Sequence, residues 1–459
     1  MSRPQRPSTL DRRRFLGTAA AVAAPLFVPS RVFGATAPSN RLRVAQVGCG
    51  RIAQVHDMPG VLDTKLADYV AVCDLDTKRT GDARGWLEKY YQTKQLGAAP
   101  PVTAYQNYRE LFARKDIDAV VISVPDHWHA ELILAAVRSN KDVYVQKPFT
   151  LTHAEGVLVR DAVVKSGRIV QIGSQQRSSQ QWRRAAELVR AGRIGAVRRV
   201  EIGLPVDPTQ PDPPSQAVPT NLDFDAWLGC TPKADYTEAR VHPQADYSRP
   251  GWLRNDAYCL GMITGWGSHH FDSMHWALDC ENGGPSKVEG RAEFPKNSVW
   301  NVHGPYDITL TYPGGISVSV SNRHPNGLKF YGDNAWLWVT RDGTTTSSDP
   351  KNPGPKLPPL DASDPRLLDP NGVKVQLPQS TSHHLNWVEA VRSRKPPIAP
   401  ATVAHRSNSA CIVSWIAMKL GRPLEWDAKA ERFKNDPEAN AMLSRSERAP
   451  YGVSHWKKG

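Results

Sequence analysis

Residues 43–53, RVAQVGCGRIA, constrain the fold more than any other stretch, because an apolar run ends there in two closely spaced glycines. The apolar residues predict a buried parallel strand. Gly48 suits the tight turn that must follow, and Gly50 would let a pyrophosphate approach the backbone. Ala53 is small enough for the next helix to pack on the strand, and that helix would offer its free N–H groups to the phosphates. The segment therefore predicts a strand, a turn and a helix that bind a dinucleotide.

An acid at the end of the next apolar run supports this interpretation. Residues 70–73 predict a second strand, and Asp74 follows at about the distance expected for an acid that binds a ribose hydroxyl. A carboxylate here favours NAD over NADP, because it would meet the 2′-phosphate of NADP. Lys78 and Arg79 weaken that preference. The alternative is an ordinary glycine turn followed by an ordinary aspartate, which leaves the order of strand, turn, helix, strand and acid unexplained.

Strands and helices alternate from residue 42 to about residue 149, which is typical of a doubly wound parallel sheet. The pattern predicts strands at 42–47, 69–73, 118–124, 142–145 and 169–172, and helices at 52–61, 78–92 and 129–139. Ligands of such sheets bind beyond the carboxyl ends of the strands, where two loops emerge, at 123–129 and 146–148. We therefore assign residues 38–170 to a Rossmann nucleotide-binding domain.

The second half of the chain has a different pattern. A helix at 181–191 and a strand at 197–203 lead into a Pro-rich loop at 205–219, and short alternating strands follow at 288–293, 306–312, 316–321 and 335–340. Such alternation suggests an antiparallel sheet. Residues 171–385 are assigned to an α+β domain. Helical periodicity at 384–394 and 405–420 places C-terminal helices and a tail, residues 386–459, back against both domains.

The N-terminus is typical of an export signal. Three arginines, Arg12–Arg14, precede an Ala-rich apolar run over 15–28, and small residues at 35–37 offer a cleavage site. The run is too short and too interrupted to span a bilayer as a stable helix. It resembles a twin-arginine signal, so residues 1–37 are predicted to direct export of a folded protein to the periplasm and to be removed, leaving no membrane span.

Charge and cysteine spacing argue against a nucleic-acid-binding protein and against a cysteine-ligated metal site. The net charge is +13, but the basic residues are scattered among acids without interleaved aromatics, so no nucleic-acid partner is predicted. The six cysteines lack metal-type spacing. Cys49 and Cys73 are expected to be free, whereas a disulfide among Cys230, Cys259 and Cys280 stays open.

Lys147 is the first candidate for chemistry. It lies two residues beyond a predicted buried strand, at the edge where ligands bind, and the proline after it stiffens the backbone. A lysine held there can hydrogen-bond a substrate hydroxyl and stabilise the alkoxide as hydride leaves. The alternative is a surface lysine that closes a loop.

Residues 265–275, GWGSHHFDSMH, form the second candidate. On a helix His269, Asp272 and His275 would share one face, and His270 would point elsewhere. A neutral imidazole there can remove a hydroxyl proton. Two alternatives remain, a metal site or side chains that only pack and cap the helix. Because no HExxH-type pattern is present, no metal is predicted.

A third stretch, residues 126–129, also carries histidines. Asp126 precedes a predicted helix and is expected to be its N-cap. This is a simpler interpretation than metal ligation by His127 and His129.

Five separated motifs occur in the order known from one family. They are PDHWH (125–129), VQKP (145–148), GSQQRS (173–178), WGSHHFD (266–272) and AHRSNSA (404–410). On these motifs residues 42–425 resemble the glucose–fructose oxidoreductase and inositol dehydrogenase (Gfo/Idh/MocA) family, and more closely its exported bacterial branch. The resemblance implies a Rossmann domain joined to an α+β domain, whose large open antiparallel sheet often buries a dimer contact.

The resemblance also implies roles for individual residues. Lys147 would be the catalytic lysine and His269 the catalytic histidine. The cofactor NAD would contact Gly48, Gly50, Arg51, Ile52, Asp74, Pro125, His127, Trp128, His129, Gln146, Lys147 and Gln176. Candidate substrate-binding residues are Arg177, Trp252, Arg254, Tyr258, His270 and Asp272, since aromatic faces stack on sugars and arginines bind hydroxyls.

Two positions depart from the family pattern. The family commonly has Glu before the lysine, where this chain has Gln146, which should make the ammonium form of the lysine less favoured. It also often has Asp four residues before the histidine, where this chain has Gly265. Asp272 or another group must then orient His269, and its role as a base is less secure than the role of the lysine.

Together these features predict an NAD(P)-dependent oxidoreductase that transfers hydride at a sugar, glycoside or polyol. Export implies that NAD is loaded beforehand and stays tightly bound, because free nicotinamide cofactor should be scarce outside the cytoplasm. One alternative is a redox-neutral glycosidase or lyase that oxidises the sugar transiently, and another is a non-catalytic sugar-binding protein. A homo-oligomer, dimer or tetramer, is also expected.

Overall fold

The structure, a computed structural model, describes residues 40–94, 99–341 and 356–458. The predicted signal segment 1–37 lies outside the described residues. A six-stranded parallel sheet forms the first half of the fold, in the order β3-β2-β1-β4-β5-β6. Its strands are β1 (Leu42–Val47), β2 (Ala67–Cys73), β3 (Thr103–Tyr105), β4 (Ala119–Ile122), β5 (Asp142–Val145) and β6 (Val170–Ile172). The direction of winding reverses between β1 and β4, which places a ligand crevice at the ends of these two strands.

Helices cover both faces of this sheet, as the apolar strands require. They are a π-helical turn (Ala53–Asp57) continuing into α1 (Met58–Leu62), then α2 (Thr77–Thr93), α3 (Tyr108–Ala113), α4 (Asp126–Arg138) and α5 (His153–Ser166). Successive β1 residues alternate between two apolar cores, with Val44 in one and Ala45 in the other. The predicted doubly wound fold is confirmed, and its sheet continues two residues past the assigned boundary at residue 170.

A nine-stranded sheet forms the second half, in the order β13-β12-β11-β7-β10-β9-β8-β14-β15. Its strands are β7 (Val197–Gly203), β8 (Lys287–Ala292), β9 (Tyr306–Tyr312), β10 (Ile316–Ser321), β11 (Gly327–Gly332), β12 (Trp336–Val339), β13 (Leu360–Ala362), β14 (Leu424–Asp427) and β15 (Arg432–Phe433). The separate second sheet is confirmed, but it is mixed: β7 pairs in parallel with β10. A connection of about a hundred residues permits this, because parallel neighbours need a long crossover.

Helices pack on one face of the mixed sheet. The α-helices of this half are α6 (Gln180–Arg190), α7 (Phe224–Leu228), α8 (Met262–Gly265), α9 (Gly267–Ala277), α10 (His383–Ser393), α11 (Ala401–Leu420) and α12 (Pro437–Ala441). Short 3₁₀ turns occur at Gln175–Ser178, Gly251–Arg254, Pro313–Gly315, Pro365–Leu368 and Ser454–Lys458. None of the helices in the described part of the chain combines the length and apolar character needed to cross a membrane.

The last long helix, α11, belongs to both halves of the fold. Its first turn contributes Ala401 and Ala404 to a core of the parallel sheet. Further along, Ile412 and Ile416 belong to the core of the mixed sheet. Gly421, in a left-handed conformation with φ 64°, ends the helix as the sequence predicts. The two halves are therefore packed around one shared element.

Candidate active site

A cavity of about 920 Å³ lies at the carboxyl end of the parallel sheet, bounded by loops of the second half. Ligand pockets commonly measure about 300–1,000 Å³, so the cavity has room for a large ligand. The predicted site residues that line it are Gly48, Gly50, Arg51, Ile52, Asp74, Pro125, Trp128, Gln146, Lys147, Trp252 and His269. The glycine turn and Lys147 thus border one continuous space.

The two glycines of the turn serve different needs. Gly48 has φ +81°, and a Cβ there would lie 2.4 Å from the carbonyl oxygen of Ser123. The close approach of β1 to β4 therefore requires glycine. At Gly50 the nearest atom to a Cβ would be Nη1 of Arg79, 3.8 Å away, so the space above this residue is open toward the cavity. These glycines fit a bound pyrophosphate.

Asp74 joins the end of β2 to the glycine turn. Its carboxylate accepts hydrogen bonds from the backbone N–H of Cys49 at 2.7 Å and of Asp76 at 3.0 Å. Burial raises the pKa of Asp74, while these hydrogen bonds and the charge of Arg79 oppose the shift. Asp74 also lines the cavity.

A segment of the second half crosses the cavity edge beside Asp74. We call residues 221–249 the strap. Its residues Asn221, His242 and Gln244 contact the Asp76 carboxylate at 2.6, 3.0 and 3.1 Å. Burial opposes ionisation of this carboxyl, but hydrogen bonds from His242, Asn221 and Gln244 hold the pKa of Asp76 well below its usual range.

Further contacts fix the strap to the start of α2. Arg79 donates to the carbonyl oxygen of Pro243 at 3.0 Å, and the Tyr247 hydroxyl donates to Asp82 at 2.9 Å. The Arg79 guanidinium also lies 4.5 Å from the centre of the Tyr247 ring. The strap therefore covers one end of the cavity through several hydrogen bonds and a cation–π contact.

Lys147 follows β5 and is partly buried in the cavity wall. Among the described residues, none forms a hydrogen bond or an ion pair with its ammonium group. Burial lowers the pKa of Lys147, and the charges of Arg249 and Arg341 add to this effect while Asp126 opposes it. The ammonium group is thus available to a ligand, and its proton is held less tightly than in an exposed lysine.

Asp126 is not the N-cap of α4, so that prediction is wrong. Pro125 occupies the cap position, and Asp126 is the first helical residue. Its side chain lines the cavity, where burial raises its pKa and the charge of Lys147 opposes the shift. The physical reason for the difference is that the helix already includes Asp126, whose carboxyl interacts with its own backbone N–H and with the charge of Lys147.

His269 lies on α9, with its side chain exposed to the cavity. Its Nδ1 is buried without a hydrogen-bond partner in the part of the chain that the structure describes. Burial, together with the charges of Arg341 and Lys147, holds the pKa of His269 well below 6.5, so the imidazole is neutral. His269 and Lys147 both line this cavity.

Asp272 does not orient His269, contrary to the expectation from the sequence. It accepts hydrogen bonds at 2.6 and 3.0 Å from Arg177, which also contacts Glu281 at 2.8 Å. This ion pair is buried between α9 and the 3₁₀ turn at 175–178. Three-residue spacing placed the histidine and the aspartate on one helical face, but the tertiary partner of the carboxylate decides where it points.

Gln146 is bound to a buried carboxylate that the sequence did not reveal. Its amide donates to Asp57 Oδ1 at 2.7 Å, and Ser123 donates to Oδ2 at 2.6 Å. His56 and His384 also contact Oδ1, at 3.0 and 3.2 Å. No local pattern marks Asp57, because His384 lies more than three hundred residues away in the sequence.

Among the residues that the structure describes, two clusters have the residue types of a metal site. One is His56, Asp57 and His384, and the other is His153, His405 and Glu431. In the first, Ser123 and Gln146 also donate to the carboxylate, and in the second Arg160 and Arg406 contact Glu431 at 2.8 Å. Because other donors already satisfy both carboxylates, we assign these clusters to hydrogen-bond networks.

Several predicted site residues lie outside the cavity lining. They are His127, His129, Gln176, Arg177, Arg254, Tyr258, His270 and Asp272. His129, for example, contacts the carbonyl oxygens of Pro148 at 2.7 Å and Val124 at 3.1 Å, so it holds two loops together. His270 contacts Asn326 at 2.7 Å and stacks on Trp182. The structure brings these residues into the protein interior rather than into the cavity.

The other lining residues at the Lys147 end went unrecognised in the sequence. They include Arg249 from the strap, Cys259, Met262 and Trp266 before α9, and Arg341 after β12. The six cysteines are all free, which answers the open question about a disulfide. Met262 begins the four-residue helix α8, and the other lining residues come from loops or turns, where the sequence gives no periodic signal.

Parallel strands in the order 3-2-1-4-5-6, with a glycine turn at the switch point, define a dinucleotide-binding α/β fold. Two family models match the chain. "Oxidoreductase family, NAD-binding Rossmann fold" matches residues 42–174, and "Oxidoreductase family, C-terminal alpha/beta domain" matches residues 209–332 and 367–453. The chain belongs to the Gfo/Idh/MocA family of oxidoreductases.

Individual relatives are distant. Inositol 2-dehydrogenase of Salmonella paratyphi B is 31% identical over 155 residues, which are 34% of this chain and 43% of that protein. The chain thus matches less than half the length of the first curated relatives. Aldose-aldose oxidoreductase of Caulobacter crescentus (17% identity, TM-score 0.56) and myo-inositol 2-dehydrogenase of Lactobacillus plantarum (16%, TM-score 0.55) each align with 84% of this chain and 99% of their own. Their likeness shows the fold.

Proposed function

We propose that this protein is an NAD-dependent oxidoreductase that acts on a hydroxyl or ketone of a sugar, glycoside or polyol. One observation carries the proposal: Lys147 and the neutral His269 line the same cavity as the glycine turn. The curated relatives named inositol 2-dehydrogenase are consistent with a polyol or a related substrate.

Lys147 would stabilise the reacting oxygen. Its ammonium group is held in the cavity wall without a partner among the described side chains, so it can donate to a substrate hydroxyl. As negative charge develops on that oxygen, the hydrogen bond strengthens, which lowers the barrier. Because burial lowers its pKa, this lysine also shares its proton more readily than an exposed one.

His269 would accept the hydroxyl proton. An imidazole held neutral by burial is in the form that a general base requires. Because Nδ1 has no hydrogen-bond partner among the described residues, the protein does not fix which ring nitrogen carries the proton. Within residues 40–94, 99–341 and 356–458 no carboxylate contacts the ring, so we expect the contribution of His269 to the rate to be smaller than that of Lys147.

A bound nicotinamide would supply the hydride acceptor. Gly50 would leave room for the pyrophosphate of the dinucleotide, and Asp74 would bind a ribose hydroxyl. Arg51 and Arg79 line the same cavity. The carboxylate of Asp74 favours NAD over NADP, because a 2′-phosphate would be repelled.

The strap supports tight retention of the cofactor. It closes over the Asp74 end of the cavity through the contacts of His242, Gln244 and Tyr247. Release of a dinucleotide would require these contacts to break, so dissociation should be slow. We propose that NAD remains bound through turnover and purification.

Two measurements on the purified protein test the function. The absorbance spectrum of the denatured protein should show about one nicotinamide nucleotide per chain. A panel of sugars and polyols should reduce the bound or added NAD, and Lys147→Met should lower kcat/KM by about 10²–10³-fold while cofactor content is unchanged. Undiminished turnover in Lys147→Met, or a purified protein that neither contains nor binds NAD, would contradict the proposal.

The strap also favours a second candidate, a redox-neutral glycosidase or lyase. A cofactor that cannot leave must be restored within the cycle, either by a second substrate or by elimination from a transiently oxidised sugar. Cleavage of a glycoside without net formation of NADH supports this candidate. Stoichiometric NADH with free NAD supports the dehydrogenase instead.

We further propose export through the twin-arginine pathway, on the basis of the charges and apolar run of residues 1–28. Replacement of Arg12, Arg13 and Arg14 by lysine should keep the protein in the cytoplasmic fraction. If the lysine variant still reaches the periplasm in the same amount as the wild-type protein, export by this route is contradicted.

A homo-oligomer formed through the outer face of the mixed sheet is the assembly we propose. That face carries Tyr331 and Trp336, which are only half-buried, with Arg199 and Lys329 stacked on them at 3.7 and 4.1 Å. Light scattering should give the mass of a dimer or tetramer, and Tyr331→Glu should lower it. A monomeric wild-type protein would contradict the proposal.

A further inference from the structure

Asp57 is a fully buried carboxylate next to the cavity. It is the last residue of the π-helical turn that follows the glycine turn. Its two oxygens accept hydrogen bonds from four side chains, those of Gln146, Ser123, His56 and His384. Burial opposes ionisation, but the hydrogen bonds from His384 and His56 hold the pKa of Asp57 well below its usual range. A buried, ionised carboxylate with four donors is held in one orientation.

Two of these donors follow neighbouring strands of the parallel sheet. Ser123 follows β4 and donates to Oδ2 at 2.6 Å, and Gln146 follows β5 and donates to Oδ1 at 2.7 Å. Both residues line the cavity. The Ser123 hydroxyl also accepts a hydrogen bond from the Gln46 amide at 3.0 Å. Because β4 and β5 are parallel neighbours, Asp57 joins two strand ends at the edge of the sheet where ligands bind.

The two histidines hold the carboxylate from other elements. His56, in the π-helical turn, contacts Oδ1 at 3.0 Å, and His384, on α10, contacts it at 3.2 Å. The His384 ring also lies 4.8 Å from the ring of Tyr144 on β5. A Cβ at Gly60 would overlap the His384 ring, so glycine on α1 permits this close approach. Asp57 therefore cannot shift without loss of contacts to several elements.

The contact with Gln146 extends to Lys147, the next residue in the chain. The backbone N–H of Gln146 donates to the carbonyl oxygen of Ile122 at 3.0 Å. Gln146 is thus held through its backbone by β4 and through its side chain by Asp57. Since no described side chain binds the ammonium group of Lys147, the place of that group depends on the backbone that carries it.

We propose that Asp57 is a positioning residue for the reaction: by binding Gln146 and Ser123, it keeps Lys147 in the geometry that a substrate requires. The inference rests on the proposed function, in which Lys147 stabilises the reacting oxygen. In the described part of the chain Asp57 does not line the cavity, so it acts through these neighbours. A catalytic group must be held within about 0.5 Å of its productive place. The alternative is a structural network that only fastens α10 to the parallel sheet.

Crystal structures of variants test the positioning directly, without a substrate. In Asp57→Ala we expect Gln146 and the Lys147 amine to move by more than about 0.5 Å. His384→Met is the matched control, because it removes the contact with α10 and keeps the hydrogen bonds from Gln146 and Ser123. In this control Lys147 should stay in place while the free energy of unfolding falls. Thermal unfolding of each variant checks that it is folded.

The rate of turnover at saturating NAD and substrate provides the second measurement. Asp57→Ala should lower kcat by about 10–10²-fold, because a misplaced catalytic group loses rate steeply with distance. Asp57→Asn keeps an acceptor for the Gln146 amide, so its kcat should lie between those of Asp57→Ala and the wild type. The kcat of His384→Met should stay within about threefold of the wild-type value.

An exchange of amide and carboxylate separates positioning from a structural role. Gln146→Glu places a second carboxyl group against Asp57. The pair can share one proton at low pH, but as the pH rises both groups become charged and repel each other. The kcat/KM of this variant should therefore fall at a lower pH than that of the wild type.

The double variant Gln146→Glu/Asp57→Asn contains one amide and one carboxylate again, in reversed order. It should lose the early fall with pH and be at least about fivefold more active than Gln146→Glu at neutral pH. A network that only stabilises the fold would not make the second substitution restore activity.

Three results would overturn the inference: an unmoved Lys147 in Asp57→Ala, wild-type kcat in that folded variant, or a double variant no more active than Gln146→Glu. If Asp57→Ala does not fold, the structures and pH profiles of Gln146→Glu and the double variant provide the test. The proposed function fails separately. A protein that reduces no NAD with any sugar or polyol loses the function, while the structures of the variants still decide whether Asp57 positions Lys147.

Discussion

Gly48 and Gly50 stand two residues apart in one turn, yet they are constrained by different surroundings. The first is fixed by the protein itself, through its positive φ and the carbonyl group of Ser123. The second borders open space within the cavity. At the scale of single residues, this short motif thus contains one glycine that the fold requires and a second that leaves space for a ligand.

This separation predicts opposite outcomes for two alanine variants. Gly48→Ala should lower the free energy of unfolding by about 1–3 kcal/mol from backbone strain alone, with the contact to Ser123 adding to this. Gly50→Ala should change it by less than about 0.5 kcal/mol, while cofactor content falls, because the methyl group occupies the phosphate position. Chemical denaturation and the nucleotide content of each variant are the measurements. Normal cofactor content in Gly50→Ala would contradict the assignment of this turn.

Lys147 and His269 predict the pH dependence of kcat/KM. Lys147 must be protonated to donate, and its pKa is lowered, so activity should be lost on raising the pH at a value below 10.5, the ordinary pKa of lysine. His269 must be neutral to accept a proton, and its pKa is lowered, so activity should persist as the pH falls below 6.5. Initial rates from pH 5 to pH 10 test both limbs, and loss of activity with a midpoint near 6.5 would contradict the burial of His269.

At the scale of elements, α9 shows how a helix with a recognisable motif divides its residues between site and core. Every residue from Gly267 to Ala277 is buried, and among them His269 borders the cavity. Asp272 and His270 face other elements, where Arg177 and Asn326 bind them. The motif therefore forms a helix as predicted, and the packing of that helix decides that His269 is the residue that borders the cavity.

The ion pair of α9 gives a prediction at this scale. Asp272→Asn should lower the free energy of unfolding by about 3–5 kcal/mol, because it leaves Arg177 buried without its main counter-charge. Asp279→Asn, just beyond the same helix, removes an exposed pair with Arg190 and should cost less than about 1 kcal/mol. Equal effects in denaturation experiments, or a raised KM without loss of stability in Asp272→Asn, would favour the substrate-binding role that the sequence suggested.

The sequence predicts the bounds of a strand correctly where the apolar pattern of that strand is complete. β1, β5, β7, β9 and β10 have the bounds that alternation or a continuous apolar run predicts. β11 was not predicted, because Gly327 and Gly332 bound it and a lysine interrupts its short run. It forms because β7 and β12 pair with it on both sides. Neighbouring strands, rather than local propensity, supply that information.

At the scale of the whole molecule, α11 joins the two halves. Ala401 and Ala404 pack against the parallel sheet, and Ile412 and Ile416 pack against the mixed sheet. Trp387, on the preceding helix, lies in the other core of the parallel sheet. The elements around residues 383–420 therefore couple the half that holds the parallel sheet to the half that holds the mixed sheet, and residues of both halves line the cavity.

This coupling predicts cooperative unfolding. Ile416→Ala should cost about 2–5 kcal/mol by leaving a cavity in the core of the mixed sheet. Because α11 is shared, calorimetry should show one transition that shifts as a whole to lower temperature. A second transition that stays at the wild-type temperature would contradict the coupling. Val164→Ala, at an exposed position on α5, serves as the control and should leave the transition unchanged within about 0.5 kcal/mol.

The sequence by itself determined the cofactor half of this protein. The glycine turn, the acid after β2 and Lys147 after β5 each depend on a short segment, because a parallel strand and the turn that follows it fix where these residues lie. The two-domain fold expected from the sequence is confirmed. The sequence could predict it because apolar periodicity and turn residues are local signals.

Only the tertiary structure decided which residues of the second half line the cavity. Arg249, Trp266 and Arg341 come from separate loops, and Asp57 meets His384 across more than three hundred residues. Whether a polar side chain faces a cavity or a buried partner depends on the free energy of desolvation, which is set by neighbours that are distant in the chain. For that reason Arg177 and Asp272 form a buried ion pair, while Arg249 and Arg341, which no sequence signal marks, line the cavity.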